Sequence, residues 1–409
     1  MSLNKKIAIV GAGTSGYFSV LYFCTKYPNY DIHWIYPENN NPIGVGEGTV
    51  PQVTEFLNDL GITFKDIIKT VDGSLKLGIK FENFVPETFY HAFGIDEDEA
   101  AKIEYFMEHN IVPENIEDYD ISFHFNVANL AKFFDTWFER FNNLTIERRT
   151  VTSTDEVNCD WFIDCTGFKR AFVNEHYSDN FMPIDNFVPN NKALVYRTSI
   201  PEHKRSIYTT CIGMKHGWVW NIPLREQIGI GYVHDSAYNV KDEFLDYLEQ
   251  EGFGRPEVRE VNMVTGRNKN HYKKLIDKHI VSVGLSSSFI EPLEATGLYL
   301  TVFSIEQLDK LMHEQISSEE YNNLVNFEFD VIVDFIAAHY KFSHNSNEYW
   351  DFYKTLPIEL YRLNHAFPNR SWDCILRKDS KKITKEQIKE LNNTKPYVEW
   401  LKDKGYITV

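Results

Sequence analysis

The sequence predicts an α/β protein: a doubly wound, dinucleotide-binding sheet, an antiparallel sheet interleaved with it, and a helical C-terminal cap. Three observations predict this. A Gly-x-Gly-x-x-Gly turn at residues 11–16 lies between an apolar run and a helical pattern. Short segments at 7–10, 32–36, 144–148, 161–164 and 280–283 read as strands of one sheet. Alternating segments at 193–198, 218–222 and 228–233 read as a second sheet with two distinct faces.

The first element is Lys6-Ile7-Ala8-Ile9-Val10, too apolar for a half-exposed strand and suited to burial on both faces. It enters Gly11-Ala12-Gly13-Thr14-Ser15-Gly16, and a helical pattern follows to Lys26. In this strand–turn–helix setting Gly11 permits the tight turn, Gly13 lets backbone approach a pyrophosphate, and Gly16 allows helix and strand to pack closely. The second strand ends at Tyr36-Pro37-Glu38, so the acid that usually meets a ribose hydroxyl is missing from the strand tip. Further helices are expected at 127–141, 241–250, 298–311, 318–340 and 385–392. With no repeat or Pro-rich linker, residues 1–317 and the cap at 318–409 should form one integrated unit.

Several short segments carry candidate chemistry. Gly44-Val45-Gly46-Glu47-Gly48-Thr49-Val50-Pro51 has three glycines in five residues before a helix start, which suits close backbone approach to a ligand. In Gly217-Trp218-Val219-Trp220-Asn221-Ile222-Pro223, alternation puts both tryptophans on one strand face; alone, core packing explains them. Glu291-Pro292-Leu293-Glu294-Ala295-Thr296-Gly297 places a carboxylate before a small turn that opens an apolar helix. The first N–H groups of a helix lack internal partners and carry the positive dipole end, so this turn can hold an anion. Phe89-Tyr90-His91-Ala92-Phe93-Gly94 is a candidate pocket wall through His91 and Phe93. His339 at a helix end reads as packing. Lys76 and Lys80, four residues apart, would share one face of a regular strand, where solvated surface charge is the usual role.

Composition narrows the classes. The chain has 409 residues, ample for a large core, and 59 acidic against 42 basic side chains give a net charge of −17. That balance opposes binding to nucleic acid or an anionic membrane, and it makes any anion site a local matter. The five cysteines show no metal-ligand spacing, so no metal is expected, and their odd number fits a reduced, cytoplasmic setting. No N-terminal signal precedes the first strand, and no apolar run reaches the ~18 residues of a membrane span. The 30 Phe, 23 Tyr and 8 Trp suit an aromatic-lined pocket as well as a core.

Taken together, the 11–16 fingerprint, the 44–51 segment, Phe162-Ile163-Asp164-Cys165-Thr166-Gly167-Phe168, Trp218-x-Trp220-x-Ile222-Pro223 and Glu291–Gly297 resemble flavin-dependent halogenases of the tryptophan halogenase family, over roughly residues 5–357. The resemblance implies FAD, used as FADH2 from a separate flavin reductase, and a chloride or bromide ion. In such enzymes a flavin hydroperoxide is attacked by halide, and the hypohalous acid formed travels through a tunnel to a lysine beside a small aromatic substrate. The matching positions are Lys76 for that lysine, Glu294 for the carboxylate that orients the oxidant or takes the ring proton, and Thr296 and Gly297 for halide. Trp218 and Trp220 would shield the flavin from substrate. Cofactor contacts are implied at Gly11, Ala12, Gly13, Ser15, Gly16, Gly46, Gly48, Thr49, Leu285 and Leu298. Ala295 stands where several family members carry Ser, and only about fifty residues follow Pro357, so a shorter lid and a range of electron-rich aromatics other than free tryptophan are expected. A flavin monooxygenase without halogenating activity is the rival reading; homo-oligomerisation is left open.

Overall fold

A computed structural model of the chain describes residues 5–38, 47–360, 366–378, 381–391 and 393–408. The mixed α/β class is as expected. A six-stranded sheet runs in the order Tyr272–Lys274, His279–Ser282, Trp161–Asp164, Lys6–Val10, Asp31–Tyr36, Leu144–Arg148. Its first pair is antiparallel and the other neighbours are parallel. The first strand is buried on both faces. Ile7 and Ile9 join the large core under helix Thr14–Lys26, while Ala8 and Val10 join Ile35, Phe162 and Ile280 on the other side. That two-sided burial is why its sequence is uniformly apolar.

The second sheet has seven strands, in the order Arg259–Asn262, Lys192–Ser199, Gln227–His234, Gly217–Pro223, Thr209–Met214, Gly78–Glu82, Phe89–Ala92. It is antiparallel except where Thr209–Met214 runs parallel to Gly78–Glu82. Alternation gives it two faces. Val219, Ile230 and Tyr232 pack with Phe244 and Leu248 of helix Lys241–Gln250. Trp218, Trp220 and Val195 pack with Phe329, Ile332 and Ile336 of helix Ser318–Lys341. That helix begins with a reciprocal cap between Ser317 and Glu320, and it packs against helices Thr296–Met312 and Glu348–Lys354. Among the described residues no helix is long and apolar enough to cross a membrane.

Strand positions expected from sequence agree within a residue or two, and helix Val127–Phe138 stops three residues before the expected end. Among the elements not foreseen is a small sheet of Glu47–Gly48, Ser122–Phe125 and Ser74–Lys76. It separates the two lysines. Lys76 ends its strand in this small sheet, whereas Lys80 lies on Gly78–Glu82 of the large sheet and pairs with Glu82 at 2.5 Å. The expected single strand face for both is therefore corrected; the chain breaks at Leu77 and changes sheets.

Candidate active site

Lys76 is completely buried. Its Nζ donates to the Thr49 carbonyl at 2.8 Å and lies 5.4 Å from the centre of the Phe93 ring. Thr49 is fixed in turn: its hydroxyl donates to the Phe123 carbonyl at 2.7 Å and meets Ser122. Gly48 leaves room for the ammonium, since a Cβ there would stand 3.3 Å from Nζ. Behind the lysine, His124 is held between Ser74 (3.0 Å) and Thr209 (2.8 Å). The Ser74 hydroxyl donates to the Pro223 carbonyl, so His124 Nδ1 is the donor and Nε2 accepts from Thr209. Burial and the nearby Lys76 charge push His124 well below its ordinary pKa, in keeping with a neutral ring. Burial lowers the Lys76 ammonium to about 8, with the Glu294 charge opposing that shift.

Glu294 is 2% exposed and has a left-handed backbone, φ 65°. Ala295 follows at φ 57°. Two consecutive non-glycine residues in this region are strained, which is a feature of functional turns. They swing the carboxylate away from the helix start and into a cage. His91 Nδ1 lies 2.9 Å from both carboxylate oxygens, and His339 Nε2 lies 2.8 Å from Oε1. His91 Nε2 meets the Ser371 hydroxyl at 2.8 Å. Burial would raise the acid, yet the charge and hydrogen bonds of the two histidines outweigh it and hold Glu294 well below the usual carboxylate range. His91 and Ser371 line a small cavity of about 100 Å³, together with Tyr90, Arg370 and Cys374. A wider concavity of about 860 Å³, at Lys5, Trp161 and His279, is lined by neither Lys76 nor Glu294.

Helix Thr296–Met312 starts beside Glu294 with no side-chain cap and no acid in its first turn. With Glu294 tied to the histidines, the free N–H groups face no competing carboxylate, and a Cβ on Gly297 would meet nothing within 4 Å. The N-terminal fingerprint divides its glycines by role. A Cβ on Gly11 would sit 2.2 Å from the Cys165 carbonyl oxygen and one on Gly16 the same distance from that of Gly11, so both are demanded by packing. A Cβ on Gly13 would enter open space, at the uncapped start of helix Thr14–Lys26, which likewise has no acid in its first turn. Ala12 is buried under this turn. Ser15 touches Gly284, whose neighbour Leu285 lies on the short turn Gly284–Ser286; Gly284 also abuts Thr301 of the helix that carries Leu298. The turn at Gly284 therefore lies between the first turn of helix Thr14–Lys26 and the second turn of helix Thr296–Met312. Gly46 lies outside the described residues.

Trp218 and Trp220 share a face, as alternation predicted, with ring centres 6.0 Å apart. Gly231 opposite Trp220 provides the space: a Cβ there would stand 2.1 Å from the indole. Near them Glu291 accepts from Tyr340 at 2.6 Å and Asn190 at 2.8 Å, while burial raises it to about 7. The predicted residues thus fall into two groups, Lys76 with Gly48, Thr49 and Phe93, and Glu294 with His91. Sequence reasoning missed His339 as a partner of Glu294 and Ser371 as the partner of His91. A buried histidine at i+4 from a helical carbonyl (Phe335) gives no distinguishing signal in sequence, because its partner is 45 residues away.

Comparison with known proteins agrees with this architecture. The tryptophan halogenase family profile matches residues 6–137 and 114–371. The tryptophan 7-halogenase RebH of Lentzea aerocolonigenes is 26% identical over 88% of this chain and 82% of its own length. The 7-chloro-L-tryptophan 6-halogenase KtzR of Kutzneria sp. is 26% identical over 90% and 89%. In fold, Xcc4156, a flavin-dependent halogenase from Xanthomonas campestris, superposes with a TM-score of 0.85 at 19% identity, covering 98% of both chains. A profile match over most of the length, on a fold that carries these motifs, establishes that the chain belongs to the tryptophan halogenase family, a family of flavin-dependent enzymes.

Proposed function

We propose that this chain halogenates an electron-rich aromatic ring, indole- or phenol-like, using FADH2 from a separate reductase, dioxygen and chloride or bromide. The observation that carries the reading is the wholly buried Lys76 ammonium, lowered to about 8 and lying within the field of an ionised Glu294. A solvated surface lysine has neither property. The halogenases among its relatives support this over a monooxygenase that does not halogenate.

The six-stranded sheet is read as the flavin-binding sheet, and residues 318–409 as a cap integrated with residues 1–317. Gly13 and the start of helix Thr14–Lys26 would hold the FAD pyrophosphate, with Ala12, Ser15, Leu285 and Leu298 lining the cofactor. The uncapped start of helix Thr296–Met312, at Thr296 and Gly297, would hold halide. When bound, the reduced flavin with dioxygen supplies the oxidation of halide to hypohalous acid. Trp218 and Trp220 fill the space behind the substrate sheet and keep the ring from the flavin. Lys76 Nζ donates a hydrogen bond to the hypohalous oxygen, polarising the oxygen–halogen bond as the ring attacks. The ammonium proton leaves with hydroxide as water, and Glu294 takes the proton from the ring carbon. Overall, ring C–H and hypohalous acid give ring C–halogen and water, so protons balance once Lys76 is recharged.

The test supplies the purified chain with a flavin reductase, FAD, NADH, bromide and a panel of indoles and phenols, read by mass spectrometry. Brominated product is expected, and Lys76→Ala should abolish it while leaving FAD binding intact. Hydroxylated or unchanged rings with every halide would reject the proposal.

A further inference from the structure

The histidine that the cap helix brings to Glu294 has less freedom of protonation than its partner. His339 Nδ1 lies 3.0 Å from the Phe335 carbonyl oxygen, one turn earlier on helix Ser318–Lys341. A carbonyl only accepts, so Nδ1 carries a hydrogen. Nε2 faces Glu294 Oε1 at 2.8 Å. That contact is a hydrogen bond in only two states: an imidazolium against a carboxylate, or a neutral imidazole against a carboxylic acid. His91 decides between them. Its Nδ1 is equidistant from both carboxylate oxygens, as a single N–H shared across a carboxylate would be. In a carboxylic acid Oε1 would carry the hydrogen toward His339 and accept poorly, drawing His91 Nδ1 toward Oε2; only a carboxylate offers His91 two equal acceptors while also accepting from His339. His91 keeps a choice, because Ser371 can accept or donate at its Nε2.

We propose that His339 is a positioning residue held as an imidazolium, whose charge and bond to Oε1 keep Glu294 ionised and so able to take the ring proton. This rests on the halogenase reading and adds to it a role for the cap. The groups that face the pair are few. From other elements these are His91, Lys76, Cys211 and Cys374 around Glu294, and Glu291 beside His339. Phe81 and Phe335 pack on the His339 ring at 4.9 and 5.1 Å. Desolvation by these rings would discharge an unpaired imidazolium, so the charge depends on Glu294 as much as Glu294 depends on it.

The experiment has two readouts on the full-length chain. Nitrogen-15 histidine NMR, assigned by difference from His339→Gln and His339→Asn, should show both His339 nitrogens protonated at pH 7. A single neutral tautomer at pH 7 overturns the proposal, whether or not the chain halogenates anything. The second readout is the pH profile of product formation. In His339→Gln the carboxyl loses its cation and keeps its burial, so its pKa rises and activity falls on the acid side. The variant-to-wild-type kcat ratio should drop at least tenfold from pH 8.5 to 6, with KM within about twofold. A ratio that is depressed equally at every pH is what a packing role gives, and it overturns the assignment. Wild-type chain without product at any pH counts against the halogenase reading instead.

Discussion

Replacing Lys76 with Met should destroy activity and stabilise the protein, and both follow from one structural fact. The ammonium is wholly buried, and its pKa falls from 10.5 to about 8, mainly by desolvation. Carrying the charged form in the fold at pH 7 therefore costs about 3 kcal/mol relative to the unfolded chain. Methionine has similar reach and no charge to desolvate. It also gives up the bond to the Thr49 carbonyl, worth about 1 kcal/mol, while the attraction to Glu294 is already contained in the shifted pKa. The net gain expected at pH 7 is about 2 kcal/mol. Because the folded pKa lies below the unfolded one, the unfolded chain binds more protons between pH 8 and 10.5, and wild-type stability rises across that window. The cost of the lysine shrinks from about 3 kcal/mol at pH 7 to about 1 kcal/mol at pH 10. The advantage of Lys76→Met should therefore vanish or reverse as pH rises. Urea denaturation of both chains at pH 7 and 10, in the absence of FAD, measures it. A Met variant whose stability relative to wild type improves with rising pH would falsify the claim that the lysine is held at a cost.

Other perturbations separate packing from function. Gly13→Ala should leave the melting temperature nearly unchanged and weaken FAD binding in a fluorescence titration, since its Cβ meets only open space. Gly16→Ala, with a Cβ 2.2 Å from a backbone oxygen, should instead destabilise the apo chain by several kcal/mol. Glu294→Gln should abolish product and cost about 3–5 kcal/mol in denaturant titrations, because it strips the buried His339 of its counter-charge. Gly231→Ala would drive a methyl into the Trp220 ring; a loss of about 1–3 kcal/mol is expected, together with a lower halogenated yield per FADH2 consumed. Equal FAD affinity in Gly13→Ala and wild type would remove the cradle from the site.

Motif reading reached the packing roles of Gly11 and Gly16 and the face shared by Trp218 and Trp220. These depend on local geometry: a turn needing positive φ, a period of two along a strand, a helix start free of acids. A chain can specify such features within a few residues. Local patterning did not tell that Lys76 and Lys80 part company, because the break at Leu77 is set by which sheets claim each half. Nor did it reveal His339, which meets Glu294, or Ser371, which meets His91, only when helices Ser318–Lys341 and Asn369–Ile375 pack beside the seven-stranded sheet. Burial and charge compensation are properties of the assembled interior. A carboxylate 45 residues from its imidazolium acquires its proton affinity from a low-dielectric contact that exists in three dimensions alone.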